Sequence, residues 1–126
     1  MLNDSKNLRK ETGQQGELAV CNWLKGQGFK IRHCNYMITQ GEIDIIAQKD
    51  ELIVFVEVKT RKTEHFHLSE LITRSKQRKI IRTAKQYLLE FQVVDKVCRF
   101  DVALVTMGQN ESITYLPHAF SSEESF

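Results

Sequence analysis

A chain of 126 residues has room for one ordinary domain and too little for two. With 41% apolar and 27% charged residues it reads as globular, and its longest apolar run, Leu52–Val56, falls far short of the roughly 20 residues a membrane span needs. The net charge of +2 averages unlike regions, because Arg74, Lys76, Arg78, Lys79, Arg82 and Lys85 follow one another with no acid between them while the tail at 121–126 is acidic.

In chain order, residues 1–12 read as a flexible arm, polar and without the apolar stretch of a signal peptide. A single domain is expected over 13–120. From Gly13 to Lys25 the pattern is helical, with Leu18, Cys21 and Leu24 at helix spacing and Gly26 and Gly28 as a stop. Phe29–Asn35 alternates as a strand, Thr39-Gln40-Gly41 turns, and Glu42–Ala47 is a second strand. Lys49-Asp50 leads into Leu52–Thr60, apolar on both faces and so expected at the centre of a sheet. Thr73 can cap a long helix to about Phe91, in which Ile80, Ile81, Ala84, Tyr87, Leu88 and Phe91 share one face. Arg74, Arg78, Arg82 and Lys85 share a neighbouring face, and Lys76 lies near the apolar boundary, from which its head can reach inward. Phe100–Met107 is a fourth strand, Gly108-Gln109-Asn110 turns, and Ser112–Leu116 is a weaker fifth. Three strands joined by short turns make an antiparallel meander, and the long helix then crosses over to a parallel strand. The expected fold is α/β, a mixed β-sheet with an α-β-β-β-α-β core and helices on both faces.

Chemistry concentrates at Glu57-Val58-Lys59, where a buried strand carries two charges that are costly unless paired or metal-bound. Side chains alternate along a strand, so Glu57 and Lys59 share a face. An even hairpin loop would set Asp44 opposite Phe55 or Glu57 on that same face; an odd loop or a bulge would separate them. Two adjacent carboxylates resist joint ionisation, and a divalent cation resolves the conflict, Mg²⁺ typically taking one or two carboxylates plus waters. Lys59 would then orient a metal-activated water or stabilise developing charge. The plainer alternative is a structural ion pair of Lys59 with Glu57 or Asp44. Cys21, Cys34 and Cys98 are well separated and suit reduced thiols in a cytoplasmic protein, and His65 with His67 lacks the further ligands of a zinc site.

Gly16-Glu17-Leu18-Ala19, Gly41-Glu42-Ile43-Asp44-Ile45-Ile46-Ala47, Val54-Phe55-Val56-Glu57-Val58-Lys59-Thr60-Arg61, Lys76 and Arg99-Phe100-Asp101 together resemble the motifs of the YraN-like family. These bacterial proteins are similar to archaeal Holliday-junction resolvases and to the restriction-endonuclease fold of the PD-(D/E)xK superfamily. The resemblance implies Asp44 and Glu57 as metal-binding acids, Lys59 as the catalytic lysine, Glu17 as a further catalytic acid from the first helix, and the Val58 carbonyl as a metal ligand. Glu17 could alternatively just open its helix. The chain departs from the family pattern at Met37, where a basic residue is usual, and at His65-Phe66-His67-Leu68, where a glycine is usual. The expected function is that of a Mg²⁺-dependent endonuclease, with Mn²⁺ as a substitute, acting on DNA of branched or other structure. Arg61, Arg74, Lys76, Arg78, Arg82 and Lys85 would hold the nucleic acid, and cutting two strands would suit a homodimer. The alternatives are a catalytically weak or inactive nucleic-acid-binding module of the same fold, and a protein-interaction domain whose basic helix docks an acidic partner.

Overall fold

Short turns at 39–40 and 50–51 fold three successive strands into an antiparallel meander: β1 (Lys30–Ile38), β2 (Gly41–Lys49) and β3 (Leu52–Arg61). The computed structural model describes residues 4–62, 72–108 and 111–122. Helix α1 (Asp4–Gly26) precedes the meander, and helix α2 (Arg74–Glu90) follows it. The chain then returns as β4 (Val97–Thr106), parallel to β3, and β5 (Ser112–Phe120), antiparallel to β4. The strands lie in sequence order across one mixed five-stranded sheet. The expected α/β architecture is therefore present.

Each sheet face buries one helix. Ile80, Ile81, Ala84 and Tyr87 of α2 pack on Ile43, Ile46, Phe55 and Phe100. On the other face Val20, Cys21 and Leu24 of α1 pack on Ile45, Val54, Val56 and Val105. β3 is central and serves both layers, Ile53 and Phe55 on the α2 side and Val54 and Val56 on the α1 side, which is why it is apolar on both faces. Thr73 caps α2 as its sequence suggests, its hydroxyl accepting the Lys76 N–H at 3.2 Å.

Several boundaries differ from expectation. Residues 4–12, expected as an arm, are helical; they lack an apolar stripe to announce a helix, but contain neither glycine nor proline to stop one. Phe91 caps α2 and is 44% exposed, yet its ring centre lies 4.6 Å from that of Tyr87, on the face it was assigned to. β5 runs on to Phe120, past Pro117, because the β4–β5 register shifts there and His118 takes a left-handed conformation (φ 54°). The His65–His67 pair, the turn residues Gln109 and Asn110, and tail residues 123–126 lie outside the described residues.

Candidate functional site

β2 and β3 part company at the end that carries the charges. Their ladder runs from Lys49–Leu52 to Ile45–Val56 around a two-residue turn, and one further step in that register sets Asp44 opposite Glu57. The next backbone donor, Val58 N–H, bonds instead to Asp44 Oδ2 at 2.7 Å. A residue's N–H and C=O leave an extended strand on the same edge, so the Val58 carbonyl opens into the same gap. The even-loop alternative is the one realised.

Two glycines bring the helices to this gap. A Cβ on Gly16 would stand 2.2 Å from Thr60 Oγ1, so α1 lies against the end of β3. That contact sets Glu17 beside the strand ends. Similarly, a Cβ on Gly41 would meet Thr83 Oγ1 at 2.8 Å and the Lys79 carbonyl at 3.4 Å, so α2 lies against the start of β2. Glu17 is well inside α1 rather than at a helix start, which removes the plain dipole explanation for it.

The result is a crowd of acids with two lysines in it. Burial pushes Asp44 up to about 7, the Glu57 carboxylate adds to the rise, the Val58 N–H opposes it, and Glu17 and Glu42 contribute further. Glu17 is likewise raised, first by burial, then by Glu42 and Glu57, against a hydrogen bond with Asn35. Glu57 itself is buried, and its Oε1 lies 2.7 Å from Lys76 Nζ and 3.5 Å from Lys59 Nζ. Burial is the main cause that lowers Lys59, and the Lys76 ammonium beside it lowers it further, against the pull of Glu57. For Lys76 burial works against the charge, but its bond to Glu57 prevails and raises it.

Asp44, Glu57, Lys59, Glu17 and the Val58 backbone are thus brought together, and Lys76 belongs with them. Arg61 does not: it is exposed, and its guanidinium bonds back to the Thr60 carbonyl at 3.2 Å. Arg74, Arg78, Arg82 and Lys85 lie exposed along α2. Sequence reasoning gave no role to Glu42 or Asn35, both of which act on the acids; the place of Glu42 inside the Gly41–Ala47 motif was the available signal. Beside the acids, Glu42, Glu57, Lys76 and Lys79 line a cleft of about 280 Å³ that opens at the start of α2. All the candidate metal donors are oxygens, the kind Mg²⁺ takes. Among the described residues no three His, Cys, Asp or Glu side chains converge as an ion-binding group; the candidate donors are the Asp44 and Glu57 carboxylates and the Val58 carbonyl.

Comparison with known proteins matches residues 16–105 to the model of an uncharacterised protein family, UPF0102. The chain belongs to the UPF0102 family. A UPF0102 protein of Desulfosudis oleivorans is 42% identical over 117 residues, covering 92% of this chain and 94% of its own. Those of Alkaliphilus metalliredigens and Treponema pallidum are 36% and 41% identical over 114 and 117 residues, covering 90% and 88% of this chain and 100% and 93% of theirs. The span matched to UPF0102 holds Gly16 and Glu17 at one end and Arg99 and Asp101 near the other, so the whole acid group falls within it.

Proposed function

We propose that this UPF0102 protein is a metal-dependent nuclease of the PD-(D/E)xK type, hydrolysing phosphodiester bonds in DNA with Mg²⁺, or Mn²⁺ in its place. The observation that supports it best is Asp44, pushed up to about 7 by burial and by Glu57: two carboxylates held close on rigid strands, at a cost a cation would remove. The oxygen-only donor set of Asp44, Glu57 and the Val58 carbonyl suits Mg²⁺. Once bound, such an ion would polarise a phosphoryl oxygen and acidify a coordinated water.

The remaining work falls to the chain. Lys59, 3.5 Å from Glu57 Oε1 and lowered by burial, can exchange a proton with the attacking water or donate to a phosphate oxygen. Lys76 fixes the Glu57 carboxylate at 2.7 Å, so the acid is oriented before substrate arrives. The exposed stripe of Arg78 and Arg82, flanked by Arg74 and Lys85, offers a track for the phosphate backbone. A cytoplasmic setting accompanies this reading; among the described residues no helix is long and apolar enough to cross a membrane.

The test is incubation of the protein with branched, duplex and single-stranded DNA in Mg²⁺ or Mn²⁺. Cleavage of at least one, reduced by a factor of about 100 or more in Lys59→Ala with binding intact, is expected. A second reading, a nucleic-acid-binding module without catalysis, is favoured by the direct pairing of Glu57 with Lys76. Binding that falls steeply with salt, with no cleavage in any metal, would establish that reading instead.

A further inference from the structure

At the opposite end of the sheet, on the α1 face, lies a cavity of about 550 Å³ that the proposed chemistry does not use. Trp23, Phe29, Tyr115 and Pro117 line it together with Arg99 and Lys49. Its volume is in the range of pockets that take small ligands, roughly 300–1,000 Å³. Leu52, also at this cavity, is five residues along β3 from Glu57, a separation of about 17 Å at strand rise.

One buried carboxylate holds the walls in place. Asp101 is completely buried and accepts from Arg99 Nε and Nη2, each at 2.9 Å, from Tyr115 Oη, and from the His118 N–H at 2.9 Å. The His118 bond supports the left-handed turn just after Pro117. Tyr115 in turn stacks on Trp23, with ring centroids 4.6 Å apart and planes 22° from parallel. The guanidinium is therefore fixed in orientation while its side chain keeps 28% exposure. Lys49 Nζ is tethered to the Gln27 carbonyl at 2.9 Å and sits 5.8 Å from the Phe29 ring centre. Flat aromatic walls beside two oriented cations make a site that matches one chemistry well: a planar base carrying a phosphate.

We infer that this cleft binds a nucleotide unit, the base against the Trp23, Tyr115 and Phe29 surfaces and the phosphate against Lys49 and Arg99. The unit can come from a single-stranded nucleic acid or from a free nucleotide. The inference adds a second contact to the nucleic-acid reading above, but does not depend on catalysis.

Trp23 is the single tryptophan of the chain, so its fluorescence reports on this cleft alone. The full-length protein is titrated in EDTA with a short oligothymidylate and, separately, with thymidine monophosphate. Saturable quenching is expected, and whichever probe quenches at the lower concentration identifies the source. Lys49→Glu, at an exposed position, should weaken that probe by about tenfold while leaving the thermal transition in place. Arg78→Glu/Arg82→Glu, remote from the cleft, should still show the quenching by mononucleotide. Oligonucleotide binding seen by anisotropy with unchanged Trp23 emission would overturn the inference, as would no response to either probe or equal affinity in Lys49→Glu. Quenching without cleavage would sink only the nuclease reading; cleavage without quenching would sink only this one.

Discussion

Asp44 is the residue least at ease in its surroundings. Its carboxyl is pushed from 3.8 to about 7, burial first and Glu57 second. A carboxyl whose pKa rises on folding favours the fold only while protonated, so the metal-free protein should lose stability as pH climbs from about 4 to about 7 and level off above. One pKa unit is worth about 1.4 kcal/mol, and partial solvent access reduces the whole. Asp44→Asn is accordingly expected to stabilise the metal-free protein by about 2 kcal/mol near pH 8 and by much less near pH 5, read by urea unfolding. Mg²⁺ should raise the wild-type melting temperature more near pH 8 than near pH 5, because protons compete for the same oxygens. A rise that persists unchanged in Asp44→Asn and Glu57→Gln would remove the metal from these acids.

Among the elements, α1 and α2 matter for where they touch the strand ends. Gly16 has no room for a methyl group while Thr60 keeps its hydroxyl at 2.2 Å from the would-be Cβ; with that hydroxyl gone, the next atom is Thr60 Cβ at 3.5 Å, an ordinary contact. Gly16→Ala alone should destabilise, whereas in a Thr60→Ala background the same change should be neutral or stabilise by up to about 1 kcal/mol, the helix preference for alanine. Thermal melts of the four proteins complete that cycle; additive effects would mean the contact is not tight. α2 carries its charges on an exposed face, so Arg78→Glu/Arg82→Glu should leave stability within about 0.5 kcal/mol. The same pair should lower the salt dependence of duplex binding by a slope of roughly 2, if both reach phosphates.

For the molecule as a whole, Asp101 ties β4 to the irregular part of β5 and holds Arg99 against both. It is fully buried on the α1 side of the sheet and paired on every side. Removing it strands a partly buried guanidinium, and Asp101→Ala should cost about 3 kcal/mol. In a cycle with Arg99→Ala the coupling should be about 2 kcal/mol, measured by denaturant unfolding; additivity would show that the pair is incidental. Sheet edges are exposed to unwanted pairing, and β5 counters this with Pro117 and the register shift at Phe100–Val102.

The periodicity of apolar residues was enough to give the antiparallel meander of β1–β3, the central place of β3 and the α2 cap at Thr73, because these depend on alternation, turn length and local hydrogen bonds; the full strand order came from the packed sheet. The motif residues Asp44, Glu57 and Lys59 were legible for a related reason: charges inside an apolar strand are rare enough to stand out. The approach of Lys76 to within 2.7 Å of Glu57, the contribution of Glu42 and Asn35, and the switch of the Val58 N–H from strand ladder to carboxylate were settled only by the packed structure. Each depends on helices and strands far apart in sequence meeting at one place, and such a distance leaves no periodic trace along the chain. The helix over 4–12 and the long β5 belong with these, since neither carries the alternation that would announce it.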